Sequence, residues 1–296
     1  MGWGDSALAN NVLEERRYGR GDWESEYQEL KGLLSEAEWK SAARSTPNAH
    51  YTSGDVVSSM YDALRRMGAG NLPHARVLEP GAGVGNFLGL MPGDLAARSS
   101  RTAVELDELS GRILRQLYPR AEVIVDGFER APLADNYFDF VVSNFPFGNY
   151  AVSDIAFSHP SRRFATKSIH NYFFAKSLDK VRPGGVVAAI TSHYTMDSAS
   201  GKRLRTFIDE QADLVGAIRL PSSAFKANAG TEVTTDILFL RKRMPGEERA
   251  GLAWVDVTQQ VDGEGRRFSR NEYFDAHPEM ILGKEQMAGT MYRGGE

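Results

Sequence analysis

Between residues 76 and 241 the chain alternates short β-prone runs with helical segments, and that alternation constrains its fold more than any other feature. Candidate strands cover residues 76–79, 101–105, 122–125, 138–143, 185–191, 214–220 and 236–241. Candidate helices cover 54–67, 109–117, 171–181 and 201–211. Alternation of this kind predicts a mainly parallel sheet with helices on both faces. Upstream, Leu30, Leu33, Leu34 and Trp39 fall near helical spacing and predict one short amphipathic helix. After Met244 the chain turns Gly- and charge-rich, and only residues 254–257 resemble another strand. The expected division is a helical extension over 1–45, an α/β domain over 46–243, and a C-terminal extension over 244–296. The last reads as an appendage or the start of a further domain.

A chain of 296 residues, 42% hydrophobic and 25% charged, can bury a substantial core. It has no cysteine, which excludes disulfides and thiolate metal sites and predicts a reducing, cytoplasmic setting. No apolar run reaches membrane-spanning length, and the N-terminus has no signal-peptide core. A net charge of −4 argues against a protein that coats DNA, yet leaves room for a local basic groove.

Two segments carry chemistry. Residues 76–87 read as a strand, a glycine turn and a helix start, with Glu79, Pro80, Gly81, Ala82, Gly83 and Gly85 forming the turn. Glycines there let backbone approach a ligand. A dinucleotide fingerprint would need glycine at Asn86, and no Gly-Lys-Ser/Thr follows, which excludes a P-loop. A tight βα turn without a ligand remains the alternative. About twenty residues on, Glu105-Leu106-Asp107 ends the next strand, where a carboxylate can accept ribose hydroxyls. A solvated acid is the plainer reading of Glu105. In the second segment, the run ending at Ser143 breaks at Asn144-Phe145-Pro146-Phe147. Pro146 stops the ladder and holds Phe145 extended. An asparagine amide, a fixed carbonyl and an aromatic ring three residues on suit a planar base with an exocyclic amine. Core packing of Phe145 and Phe147 is the competing reading.

Taken together, these segments resemble the gamma-type N6-adenine DNA methyltransferases. Residues 48–54, with Tyr51 and Thr52, are similar to motif X, and 79–85 to motif I. Glu105 matches motif II, Asp126-Gly127-Phe128 motif III, and residues 144–147 motif IV with Phe145 in place of the usual proline. The order X, I, II, III, IV is that of the family, and the likeness spans about residues 46–243. It implies a seven-stranded, Rossmann-like, S-adenosylmethionine-dependent methyltransferase fold that methylates the N6 amine of a flipped adenine in DNA. It also implies that Tyr51, Thr52, residues 79–83, Glu105, Leu106, Asp126, Gly127, Phe128 and Asn144 meet the cofactor, while residues 144–147 meet the base. No metal is implied.

The stretch 157–182 holds six basic residues against the single acid Asp179. Arg162, Arg163 and Lys167 are candidate phosphate contacts, against the alternative of a solvated loop. Phe145, residues 49–53 and residues 277–283 are similar to the methylase module of large phage and plasmid helicase–methylase proteins linked to anti-restriction. That likeness implies a fragment of a longer protein, with a helicase or recognition module in the same or another chain. Rival readings are methylation of a protein glutamine or an RNA base, and a degenerate domain that binds DNA or a partner without turnover.

Overall fold

The computed structural model describes residues 23–45, 52–148, 150–225 and 234–283. Seven strands form one sheet in the order β3-β2-β1-β4-β5-β7-β6. They are β1 (Ala75–Pro80), β2 (Ser99–Glu105), β3 (Glu122–Val125), β4 (Phe138–Asn144), β5 (Val181–Ser192), β6 (Ala212–Leu220) and β7 (Thr235–Lys242). β1 to β5 pair in parallel, whereas β7 runs antiparallel to both β5 and β6. Every strand expected between residues 76 and 241 is present. β5 begins earlier than expected, at Val181, because Val181 pairs with Phe138 across a register shift.

Side chains of the central strands alternate between two apolar layers, as the period of two requires. Val141, Val187, Ala189, Leu238 and Leu240 enter one layer with helix α7 (Ile169–Lys180) and helix α9 (Lys202–Asp209). Phe140, Val142, Ile190, Ile237 and Phe239 enter the other, against Val57, Met60, Tyr61 and Leu64 of helix α3 (Gly54–Arg66). Each such valine, leucine, isoleucine, methionine or phenylalanine side chain withdrawn from water stabilises the fold by ~1.5–3 kcal/mol. At the amino end of the sheet, buried Asp139 accepts the Arg76 backbone N–H at 2.8 Å and pairs with Arg76 and Arg182 at 3.0 and 2.5 Å. The guanidinium partners outweigh burial and hold the Asp139 carboxyl below its usual range.

Two expectations need correction. Among the described residues, the N-terminal segment forms two helices, α1 (Glu24–Leu33) and α2 (Glu36–Ser45), where one was expected. The cause is a capping box: the Ser35 N–H donates to Glu38 Oε2 at 2.8 Å, and the Glu38 N–H donates to Ser35 Oγ at 3.3 Å. The strand expected at 254–257 begins only at Val257: β8 (Val257–Val261) pairs with β9 (Arg267–Asn271). Trp254 lies before it, fully buried in the same layer as Leu238, together with Tyr273 and Phe274 of helix α10 (Glu272–Ala276). Asn271 fastens this segment by donating through Nδ2 to the carbonyls of Met196 and Trp254, at 2.9 and 2.8 Å. Among the described residues, no helix is long and apolar enough to cross a membrane.

Candidate active site

The strand order reverses between β1 and β4, and an open α/β sheet binds ligands at such a switch point, beyond the carboxyl ends of its strands. Here the two ends are tied together, because buried Ser143 donates through Oγ to the Pro80 carbonyl at 2.5 Å. A cavity of about 590 Å³ opens over this point, within the usual range of small-molecule sites. It is lined by Glu79, Gly81–Gly83, Glu105, Asp126–Phe128 and Asn144–Pro146, so the candidate motifs I to IV meet in one space.

The glycine turn is built from inside. The Gly81 and Ala82 N–H groups both donate to the Val104 carbonyl at 2.9 Å, which binds the turn to β2. Gly83 has φ +56, and a Cβ there would meet nothing within 4 Å, so its backbone faces open cavity. Gly85 differs: with φ +86, a Cβ would fall 2.5 Å from both Leu114 and Tyr118. Gly85 therefore serves the packing of helix α4 (Asn86–Gly89) on helix α6 (Glu108–Leu117), and Gly83 serves the cavity. Beneath the turn, buried Glu79 accepts the Leu88 N–H at 3.1 Å, and burial pushes its carboxyl well above the usual range.

Glu105 reaches back from β2 to the turn. Its two oxygens accept the Gly83 N–H at 2.6 Å and the Asp107 N–H at 2.8 Å. Burial raises its pKa against the pull of these N–H groups. Neighbouring Leu106 is 71% exposed, an apolar side chain presented at the cavity wall. Asp126, past β3, accepts its own neighbour's Gly127 N–H and Arg130 Nε, both at 2.7 Å. Its hydrogen bonds, first to Arg130, hold its carboxyl below the usual range. Phe128 is buried, with its ring 5.0 Å from that of Phe173. Thr52 is buried on the cavity wall and accepts Asn86 Nδ2 through its carbonyl at 3.2 Å. Tyr51 lies outside the described residues.

On the opposite wall, β4 ends at Asn144, which pairs with Ile190 of β5. One further ladder bond follows, from the Phe145 N–H to the Ile190 carbonyl at 3.0 Å, before Pro146 ends the pairing. Pro146 packs toward Gly81, where a Cβ would lie 3.8 Å from its Cδ. The Phe145 side chain sits in the core, 4.9 Å from the Phe174 ring and 5.5 Å from that of Phe173. Phe147 is half-buried against the Phe140 layer and is not among the cavity-lining residues.

None of the three candidate phosphate contacts lines the cavity. Arg163 and Lys167 are exposed at the two ends of a 3-10 helix, Arg163–Lys167, that leads into α7, where a loop was expected. Arg162 turns inward instead, pairing with Asp179 at 2.5 Å and covering the Phe157 ring at 4.1 Å. Several cavity residues gave no sign in the sequence. Ser41 of α2 donates to Asp107, a partner 66 residues away. Tyr150, Ala151, Val152 and Ser153 line the wall beyond motif IV, and Ile169 and Phe173 do so from α7. Among the described residues no cluster of His, Asp and Glu could hold a metal ion.

The model of the N-6 DNA methylase family matches residues 120–281. Defense against restriction protein B of Escherichia phage P1 is 32% identical over 239 residues, which cover 74% of this chain and 10% of that protein. A malonyl-[acyl-carrier protein] O-methyltransferase of Methylococcus capsulatus is 36% identical over 98 residues, 31% of this chain and 34% of that enzyme. The chain thus spans about a tenth and a third of these two relatives. Among solved structures, a class I S-adenosylmethionine-dependent methyltransferase of Listeria monocytogenes superposes with TM-score 0.57 at 17% identity, covering 84% of this chain and 81% of that one. The methyltransferase subunit of a type I restriction–modification system from Streptococcus thermophilus gives 0.55 at 14%, covering 81% and 58%. The chain belongs to the N-6 DNA methylase family and has the class I S-adenosylmethionine-dependent methyltransferase fold.

Proposed function

We propose that this chain methylates the N6 amine of adenine in DNA, using S-adenosylmethionine, on a base swung out of the duplex. One observation carries the reading. A single cavity has the glycine turn, Glu105 and Asp126 on one side and Asn144, Phe145 and Pro146 on the other, so donor and acceptor can meet.

The residues fit such a cofactor. Gly83 leaves its backbone bare toward the cavity, in a space that any larger residue would fill. Glu105 keeps lone pairs for ribose hydroxyls while its backbone partners fix its direction. Leu106 offers an apolar surface to the adenine ring, Asp126 an acceptor for its amine, and Gly127 and Phe128 close the same end. Thr52 and Tyr51 belong to the methionine end, with Pro80, Gly81 and Ala82. Glu79 acts indirectly, by holding the helix that follows the turn. When bound, the cofactor supplies a methyl carbon made electrophilic by its sulfonium.

The target amine is conjugated with its ring, so its lone pair is a weak nucleophile. The Asn144 side-chain oxygen and the Phe145 carbonyl would accept the two amine hydrogens and free that lone pair. No strong base is required, because the methylated ammonium is far more acidic than the amine. Catalysis is then mostly positioning and electrostatics, and the Ser143–Pro80 bond fixes one wall against the other. A stacked base cannot enter the cavity, so the adenine must leave the helix. Arg163 and Lys167 would meet phosphates, whereas Arg162 serves the loop's own packing.

DNA as substrate follows the family's description, and the phage P1 relative is described as a defense against restriction. Since the chain spans a tenth of that protein, target reading is assigned to a helicase or recognition module in the same or another chain. Residues 46–243 are the catalytic domain in this reading, flanked by extensions over 1–45 and 244–296.

Two variants test it. Asn144→Ala should lower transfer roughly 10²–10³-fold, as for a lost charge-stabilising contact, with cofactor affinity unchanged. Glu105→Ala should weaken cofactor binding by roughly 1.5–3 kcal/mol in calorimetry. Near-normal turnover by Asn144→Ala would refute the role of the amine-holding loop.

A further inference from the structure

We propose that helix α2, upstream of residues 46–243, is a working part of the cofactor site. Its Ser41 is a positioning residue that fixes Glu105, Leu106 and Asp107 for the adenosine end of S-adenosylmethionine. Docking of α2 and cofactor binding are then coupled. This rests on the cofactor assignment above, and not on the choice of DNA as substrate.

The coupling runs through Asp107, which is buried and whose carboxylate is used twice. One oxygen accepts the Ser110 N–H at 2.8 Å and caps helix α6. The other accepts the Ser41 hydroxyl. The Asp107 N–H in turn donates to Glu105 Oε1 at 2.8 Å. A line of hydrogen bonds thus joins α2 to the carboxylate assigned to the ribose, with Leu106 held between its ends. Ser41, Asp107 and Ser110 all line the cavity beside Glu105. A bond to an ionised acceptor is among the stronger kind, and removing its donor from a buried oxygen is costly.

The rest of α2 explains why this contact matters. Glu38 Oε2 accepts the Ser35 N–H that starts the helix, while Glu38 Oε1 pairs with Arg112 of α6. Glu38 therefore meets Arg112 and Ser41 meets Asp107, so the two helices run antiparallel with the Ser41 end at the cavity. The Arg112 side chain is 57% exposed, and such a pair orients more than it stabilises. Of the described side chains of α2 only Ala42 is buried, and α1 buries none. Little apolar area holds α2 down, and an element attached so lightly opens at small cost in free energy. A ligand gripped by the Glu105 segment favours the docked helix, and by reciprocity the docked helix strengthens the grip.

The test uses the full chain with S-adenosylhomocysteine as the probe, and compares the unaltered protein with Ser41→Ala and Ser41→Thr. Alanine is the better helix former, so Ser41→Ala removes the hydroxyl without weakening α2 itself. In calorimetry Ser41→Ala should bind roughly 5- to 150-fold more weakly, the usual range of a coupling between sites, and Ser41→Thr should restore most of the loss. In the unaltered chain, saturating S-adenosylhomocysteine should slow hydrogen exchange of the α2 amides by a comparable factor, and Ser41→Ala should abolish that slowing. Affinity of Ser41→Ala within twofold of the unaltered chain, or α2 exchange indifferent to the ligand, overturns the inference. Absence of S-adenosylhomocysteine binding by the unaltered chain would overturn the cofactor assignment, and the inference with it. Neither readout involves DNA or turnover, so the adenine reading stands or falls separately.

Discussion

Replacing Gly83 and Gly85 by alanine, one at a time, separates the two tasks that the glycine turn performs. Both have positive φ, so alanine in either place costs ~1–2 kcal/mol in backbone strain. At Gly85 the new methyl also falls 2.5 Å from Leu114 and Tyr118, and Leu114 is fully buried and cannot withdraw. Overpacking of that kind adds ~1–3 kcal/mol, for a total of roughly 2–5 kcal/mol. At Gly83 nothing lies within 4 Å, so stability should fall only by the strain. The Gly83 methyl would instead occupy space proposed for the cofactor, and the same ~1–3 kcal/mol becomes a roughly 5- to 150-fold weaker affinity. Urea unfolding and calorimetry with S-adenosylhomocysteine measure both quantities. Gly85→Ala should be the less stable and Gly83→Ala the weaker binder. Wild-type affinity in a folded Gly83→Ala would place the cofactor elsewhere.

Two other outcomes follow from charge. The Glu79 carboxyl is raised well above its unfolded value near 4.5, chiefly by burial, so the folded state holds its proton more tightly than the unfolded state does. Its contribution to stability is present below pH 4.5 and is lost as pH rises through the folded value; Glu79→Gln should flatten that decline in urea midpoints measured from pH 4.5 upward. Removing Arg163 and Lys167 together should reduce the slope of log K against log salt for DNA binding by about 2, at ~0.9 per phosphate contact. Arg162→Ala should leave that slope nearly unchanged and lower stability, since its guanidinium is engaged by Asp179 and Phe157.

Periodicity made the sheet legible because its strands are short, apolar and separated by turn residues. The direction of β7 was not legible, since a strand buried on both faces reads alike in parallel and antiparallel settings. The break at Ser35 was written in the chain as Ser35 and Glu38, but the leucine spacing across it masked the cap. Trp254 next to Val255 and Val257 imitates a strand, although its burial comes from a loop docked on the core. At the site, the segments that meet in the cavity were visible because each is short and contiguous: the glycine turn, Glu105, Asp126 and Asn144. The facing of single side chains was less so. Phe145 and Phe147 look equivalent in sequence, yet they enter opposite layers of the sheet. Asp154 with Lys176, Arg162 with Asp179 and Ser41 with Asp107 join distant positions, which no local pattern encodes.

The central claim is that the cavity holds a methyl donor beside an adenine amine. It is tested most directly by incubating the chain with labelled S-adenosylmethionine and DNA, digesting the DNA to nucleosides and identifying the labelled one. N6-methyldeoxyadenosine as the sole labelled nucleoside, lost in Asn144→Ala, is the expected result. Label in a cytosine, in RNA or protein controls alone, or in nothing would contradict it.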